Sequence, residues 1–406
     1  MILQVIIAIV VGGYLFDLVL EILNYRALRT DIPSEVADFY DKEKYVKSLE
    51  YHRVKTKFSF FNGAVSFLIT LSMLLFGIFG YVDGLLRPYF DNEIYLALVF
   101  FGVILVASDI LSLPFQLYSI FVIEERFGFN KTTIGTFIAD KIKGYIIGGL
   151  IGAILLIVLM YLVNKFGPTF WIWFGIVAAL FVISINMFYT SLILPLFNKL
   201  TILHDGELKS AIQGFSQKVN FPLDNIFVMD GSKRSSKANA FFSGIGSKKK
   251  IVLYDTLINN HSTEELVAVL AHEVGHFKKK HIILSMILSV VQIFFVLFVL
   301  SLMIFNSELS IALGGTQQSL HLNLIAFGIL FSPISAITGL LMSLLSRKNE
   351  YEADAYAKET YSGVALSEAL KRLSVDTLSN LYPHPAYVFF HYSHPTLLQR
   401  LSALKG

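Results

Sequence analysis

The chain has 406 residues, 55% of them hydrophobic and only 16% charged, with a mean hydropathy of +0.63. That balance excludes an ordinary soluble globular protein and points to a membrane protein, with 36 Phe and 19 Tyr suited to lipid-facing and interfacial surfaces. A net charge of +3 is too small to argue for a nucleic-acid partner, and without cysteine any metal must be held by His and carboxylate.

A helix needs about 20 mostly apolar residues to cross a bilayer. Runs of that kind fall at 3–23, 59–81, 95–123, 145–163, 170–196, 281–305 and 322–346, which predicts seven spans. The first, in "MILQVIIAIVVGGYLFDLVLEILNYRALR", lacks a basic leader and a small-x-small cleavage site, so it reads as a retained span. Segment 24–58 carries Arg26, Arg29, Lys42, Lys44, Lys47, Arg53, Lys55 and Lys57, and 124–144 carries Arg126, Lys131, Lys141 and Lys143. By contrast 82–94 has only Arg87, 164–169 only Lys165, and 306–321 no Lys or Arg. Basic and nearly neutral segments therefore alternate, which puts the N-terminus outside and both 197–280 and 347–406 in the cytosol. The expected location is the inner membrane in a bacterium, or the endoplasmic reticulum and nuclear membrane in a eukaryote.

Between the fifth and sixth spans the pattern turns soluble. "DNIFVMD" reads as a short strand, and "ANAFFSGIGSKKKIVLYD" as two β-rich runs around a Gly-Ser-Lys turn, a hairpin. "STEELVAVLAHEVGHFKKKH" reads as a helix that Ser262 or Thr263 can cap, with Glu264 and Glu265 in its first turn. With no strong breaker after it, this helix either runs into the sixth span or bends just before it.

Within "HEVGH", His272 and His276 stand one turn apart on the same helix face and can reach one ion. Glu273 is then beside the metal without binding it, placed to accept a proton from the attacking water. A catalytic zinc needs a third protein ligand and an open fourth position. His281, five residues beyond His276, lies about 140° further round the helix, so it faces elsewhere and reads as a packed or interfacial residue. "SRKNEYEADAYAKE" offers Glu350 and Asp354 at i, i+4 on one face, with Glu352 pointing away. One can bind zinc and the other orient a ligand imidazole; the pattern alone favours Glu350 over Glu352 only modestly.

His-Glu-x-x-His followed, after a further span, by "SRKNEYEADAYA" resembles the integral-membrane CaaX prenyl proteases, type I zinc metalloendopeptidases that also convert yeast a-factor. "EERFGFNKTT" at 124–133, "PLFNKL" at 195–200, "DGSKRSSKANAFFSGIGSKKKIVLYDTL" at 230–257 and "YSHPTLLQRL" at 392–401 are also similar to that family, so the resemblance covers nearly the whole chain in order. The shorter heat-shock-type membrane metalloproteases share the zinc motifs but would not explain "EERFGFNKTT". The resemblance implies one catalytic zinc on His272, His276 and Glu350, with Glu273 as general base and Asp354 behind a zinc histidine. It implies that Asn239 and Ala240 line the substrate and that His394 contacts substrate or steadies the oxyanion. Arg347 and Arg400 are expected to brace the site by ion pairing.

The predicted architecture is a mainly α membrane protein, about seven helices enclosing a chamber, with a small α+β gluzincin-like protease domain. It divides into 1–196 (five spans), 197–280 (first part of the protease), 281–346 (two spans) and 347–406 (second part). The expected partners are a peptide or protein substrate, C-terminally prenylated if the resemblance holds, and the bilayer. Asp17, Glu21 and Asp109 at membrane depth read as facing a water-accessible chamber. A transporter would instead use Asp109 and Pro114 as a substrate site at a broken helix. Lys248–Lys250 and Lys278–Lys280 read as solvated or headgroup-facing charge runs.

Overall fold

The computed structural model describes residues 1–221, 223, 225–243 and 250–405. The chain opens with α1 (Ile2–Arg26), α2 (Lys42–Leu75), α3 (Ile78–Leu86), α4 (Glu93–Tyr118), α5 (Ile134–Phe166), α6 (Phe170–Phe188) and the short α7 (Leu194–Phe197). A mixed region follows: β1 (Leu200–Ile202), α8 (Glu207–Lys218), β2 (Asn225–Met229), β3 (Ala240–Ser243), β4 (Lys250–Tyr254), α9 (Asp255–Asn260) and α10 (Thr263–Lys278). Two further long helices, α11 (His281–Met303) and α13 (Leu320–Ala357), are joined by α12 (Ser307–Ala312), and α14 (Gly363–Asp376), α15 (Pro385–His391) and α16 (Leu397–Lys405) close the chain. Among the described residues, six helical segments are long and apolar enough to cross a membrane, and one of them, 134–197, is broken at Gly167, whose φ of 54° turns α5 into α6. Each of the seven predicted spans is thus occupied by helix.

Local chemistry moves several boundaries. Asp41 caps α2 by accepting from the Lys44 N–H at 2.7 Å, so the second helix starts well before the run at 59–81. It ends at Leu75 because Gly77, with φ 60°, turns the chain into α3. Thr133 caps α5 in the same way, so Lys141 and Lys143 lie in helix rather than in the loop expected at 124–144. Lys141 meets Asp109 of α4 at 2.5 Å, with Tyr145 on the same carboxylate, so a charge at membrane depth finds its partner on the next helix. α4 continues through Pro114 into a π-helical turn at Ser119–Glu124, and the broken helix of the transporter reading is not found there.

Most of the buried residues within the spans lie toward one end, with Leu20, Ile123 and Leu194 as exceptions at the other. Ile6, Leu74, Phe79, Leu96, Phe100, Leu159, Val163, Phe170, Leu300, Ile304, Leu322 and Phe327 are buried, all near the weakly charged connections. The backbones nearly touch there: a Cβ on Gly80 would stand 2.0 Å from the Gly314 carbonyl carbon. Elsewhere the most apolar stretch of each span is only 6–17% buried, far less than a packed bundle would show. The helices pack closely at the Gly80 end, and cavities lie between them toward the other, one between α1 and α13 and one beside α6 and α11.

At that other end stands a four-stranded sheet in the order β1-β2-β4-β3. β2 and β4 are parallel; β1 with β2 and β3 with β4 are antiparallel. The expected hairpin is therefore present, while its Gly-Ser-Lys turn, with Lys248 and Lys249, lies outside the described residues. Ile226, Ile251 and Leu253 of the sheet pack with Ile212 and Phe215 of α8, Leu266, Leu270 and Val274 of α10, and Leu366 of α14. Each such side chain contributes roughly 1.5–3 kcal/mol of burial. This core fixes α10 beside the edge strand β3.

Candidate metal centre

Of the two possible caps, Ser262 starts α10: its hydroxyl accepts from Glu265 N–H, and the Glu265 carboxylate accepts from Ser262 N–H. Arg372 of α14 then grips the same carboxylate at 3.0 Å. Three residues before its end, α10 crosses α13 at Gly275, where an added Cβ would meet the Ala353 Cα at 3.0 Å and its carbonyl oxygen at 3.1 Å. That close approach lets a carboxylate of α13 reach between two side chains of α10.

His272 Nε2 and His276 Nε2 are 3.1 Å apart, and Glu350 oxygens lie 3.5 Å and 3.2 Å from them. Ligands about 2.05 Å from a tetrahedral zinc stand about 3.3 Å from one another, so the three donors fit the edges of that polyhedron. Among the described residues, this is the group of His and carboxylate donors close enough to share an ion. Two imidazoles and one carboxylate with a fourth side open is the donor set of a catalytic rather than a closed structural zinc.

Behind each imidazole stands a partner for its other nitrogen. His272 Nδ1 is 2.8 Å from Asp354, whose carboxylate also accepts two bonds from Arg400, at 2.8 Å and 2.6 Å. With Nδ1–H donated to Asp354, Nε2 keeps its lone pair for the ion. Arg400 Nη1 also lies 3.4 Å from Glu350, so one guanidinium pairs with both carboxylates. Arg347 does otherwise: it donates to the carbonyl oxygens of Val388, Phe389 and Tyr392, tying α13 to the end of α15 without an acid.

His281 corrects the reading of a residue facing elsewhere. The helix does not continue through it: Lys280 takes φ 61°, α10 ends, and α11 starts at His281 itself. The turn swings this buried imidazole back, so that its Nδ1 is 3.0 Å from His276 Nδ1 and its Nε2 is 3.0 Å from Glu352. Glu352 does point away from the three donors, but toward His281. Donation from His281 to Glu352, and from His276 to His281, leaves His276 Nε2 unprotonated and aimed at the other donors. The period of a regular helix hid this pair, and the αL turn at Lys280 is what reveals it.

Glu273 lines a cavity of about 670 Å³ with His276, His281, Tyr189 and Phe241, walled by Val182 and Ile185 of α6 and by Ile282 and Met286 of α11. Among the described residues its carboxylate has no hydrogen-bond partner. Burial pushes its pKa above the usual carboxylate range, against the pull of His272 and His276. His394 stands on the other side, its Nδ1 3.0 Å from Glu350, which pushes the imidazole above its ordinary value. Asn239 is exposed at the mouth of β3, its Oδ1 2.9 Å from the Ala240 N–H, and Ala240 is the first residue of that edge strand. Asp17 and Glu21 lie toward α15 rather than the three donors, Asp17 at 4.0 Å from His391 and Glu21 accepting from Tyr387 at 3.4 Å.

A helical membrane frame with two histidines and a glutamate at one end defines the class: a membrane-embedded peptidase. Residues 21–199 match the family description "CAAX prenyl protease N-terminal, five membrane helices", and residues 203–406 match peptidase family M48. The chain is 36% identical to CAAX prenyl protease 1 of Saccharomyces cerevisiae, over 97% of this chain and 93% of that one. It is also 36% identical to the Arabidopsis thaliana homologue, over 99% and 97%. The crystal structure of Ste24p from S. mikatae superposes with a TM-score of 0.95 at 34% identity, covering 100% of this chain and 99% of that one. The chain belongs to the CAAX prenyl protease 1 family, within peptidase family M48, and is a multi-pass membrane protease.

Proposed function

We propose that the protein is a zinc endopeptidase that cuts a membrane-held CaaX substrate after its prenylated cysteine, at the cytosolic face, releasing the last three residues. In this reading 197–280 and 347–406 form the catalytic unit, while 1–196 and 281–346 supply the spans. The observation that carries it is the cavity shared by Glu273 and the apolar walls of α6 and α11: one space offers a hydrolytic centre and a lipid-sized surface. A zinc ion held by His272, His276 and Glu350 supplies Lewis acidity to the scissile carbonyl and acidity to the attacking water. Glu273 takes the proton from that water and hands it to the leaving amine. His394 donates to the oxygen on which negative charge develops. Asp354 with Arg400, and His281 with Glu352, hold the two imidazoles in the tautomer a metal requires. The substrate backbone adds to the outer edge of β3 at Asn239 and Ala240, and its isoprenoid rests against Val182, Ile185, Ile282 and Met286.

The test uses purified protein on a farnesylated CaaX peptide and its unprenylated twin, with chelator, with zinc returned, and beside Glu273→Gln. Wild type should release the tripeptide only with zinc, and Glu273→Gln should lose about 10²–10⁴-fold in kcat while binding zinc normally. A zinc-loaded protein that cuts neither peptide would sink the reading.

A further inference from the structure

The metal centre has a second approach. A groove of about 680 Å³ starts beside His394 and Arg400 and runs past Ala238 and Lys237 to Lys55 of α2. Three cations and three histidines line it, and none of the lining residues is an Asp or Glu. Arg400 is already neutralised by Asp354 and Glu350. Lys237 and Lys55, however, share a single carboxylate, Glu124, at 2.9 Å and 3.8 Å. The far end of the groove therefore holds a surplus positive charge. Lys237 is held in place there by the Tyr51 hydroxyl at 3.1 Å and by the face of Phe129 at 4.3 Å.

β3 joins this groove to the apolar cavity. The chain enters the strand through Lys237, Ala238 and Asn239, and two residues further on Phe241 lines the cavity walled by α6 and α11. One edge thus has a cationic end and an apolar end, with Glu273 and His276 beside the apolar cavity and His394 and Arg400, both within 3.4 Å of Glu350, beside the cationic groove. A peptide added antiparallel to β3 runs from Phe241 toward Lys237, and antiparallel pairing is the commoner geometry. Only this direction brings a lipidated cysteine to the apolar end and the residues after it to the lysines. Three extended residues cover at most about 10 Å, and the stretch from Asn239 back to Lys237 at most about 7 Å, so the end of a leaving tripeptide falls about 3 Å past the Lys237 backbone, within reach of its side chain.

We propose, building on the endopeptidase reading above, that Lys237, with Lys55 beside it, binds the substrate's terminal α-carboxylate. The groove then measures three residues from the scissile bond to the chain end. Lys237 is a specificity residue of the primed side, and the free carboxylate is part of what the enzyme recognises. The incoming carboxylate takes the surplus charge left by Glu124.

The experiment compares one farnesylated peptide as free acid, as C-terminal amide, and lengthened by one residue, on the full-length zinc-loaded protein and on Lys237→Gln and Lys237→Arg. Wild type should cut the acid with about tenfold higher kcat/KM than the amide, mainly through KM, as expected for loss of one charge-assisted bond. The lengthened peptide should fall toward the amide. In Lys237→Gln the acid-to-amide ratio should collapse toward one, and Lys237→Arg should restore it. A merely structural loss would lower both peptides and leave the ratio intact. Equal cleavage of acid and amide by wild type, or a ratio that survives Lys237→Gln, overturns the carboxylate anchor while leaving the endopeptidase standing. Failure to cut any of the three overturns both.

Discussion

At the scale of single residues, the direction of each metal-facing lone pair is set by what the opposite ring nitrogen touches. Asp354 does this for His272, and the His281–Glu352 pair does it for His276. Losing such a partner typically lowers metal affinity about 10–100-fold. Asp354→Ala and His281→Ala should each show a loss of that order in competition with a chromophoric chelator, a readout independent of any peptide. Glu352→Gln should weaken zinc less, because its amide can still accept a hydrogen bond from His281. The two histidines were legible in the sequence because i, i+4 spacing on one helix brings two imidazoles together whatever surrounds them, whereas Glu350, on another helix, was singled out by the resemblance more than by its pattern. His281 was not, because its angle was counted at about 100° per residue through Lys280, and one αL residue resets that count. Arg347 was misread for a related reason: its partners are backbone carbonyls of α15, which no residue pattern announces.

Among the elements, the crossing of α10 over α13 decides whether the donors converge. Gly275 sits between the two histidines in sequence, and its missing side chain is what lets Ala353 and Glu350 come close. Gly275→Ala forces the backbones apart, with an expected cost of about 1–3 kcal/mol. Because the gap opens at the site, zinc affinity should fall together with thermal stability. A stable Gly275→Ala protein with unchanged zinc affinity would show that the crossing does not set the donor geometry. The spans were legible to this degree too: seven apolar runs are filled by helix, but their ends are not where hydropathy alone puts them. Asp41, Gly77 and Thr133 set those ends through caps and a left-handed turn, which hydropathy does not weigh.

Across the whole molecule, burial is polarised. The spans are sealed at the end with the weakly charged connections and open at the end with the metal donors. Gly80→Ala would drive a Cβ into the Gly314 backbone, so it should lower the thermal midpoint markedly. Any protein that remains folded should keep its zinc affinity, since the clash lies at the sealed end. Orientation can be tested with one label at a time, because the chain has no cysteine of its own. In sealed right-side-out vesicles, Gln317→Cys should react with a membrane-impermeant maleimide, whereas Glu207→Cys should react only after the membrane is opened. The reverse pattern would invert the topology read from the basic loops.

The donors come from both sides of the last pair of spans: His272 and His276 are made before α11, Glu350 and Asp354 only as α13 ends, and Arg400 close to the end of the chain. A growing polypeptide therefore cannot assemble the site until that helical pair has entered the bilayer in the right sense and the final segment has left the ribosome. A nascent chain would carry two histidines without their glutamate, and one in which only a single span of the last pair had crossed would hold them on opposite sides of the membrane; neither could close the metal site.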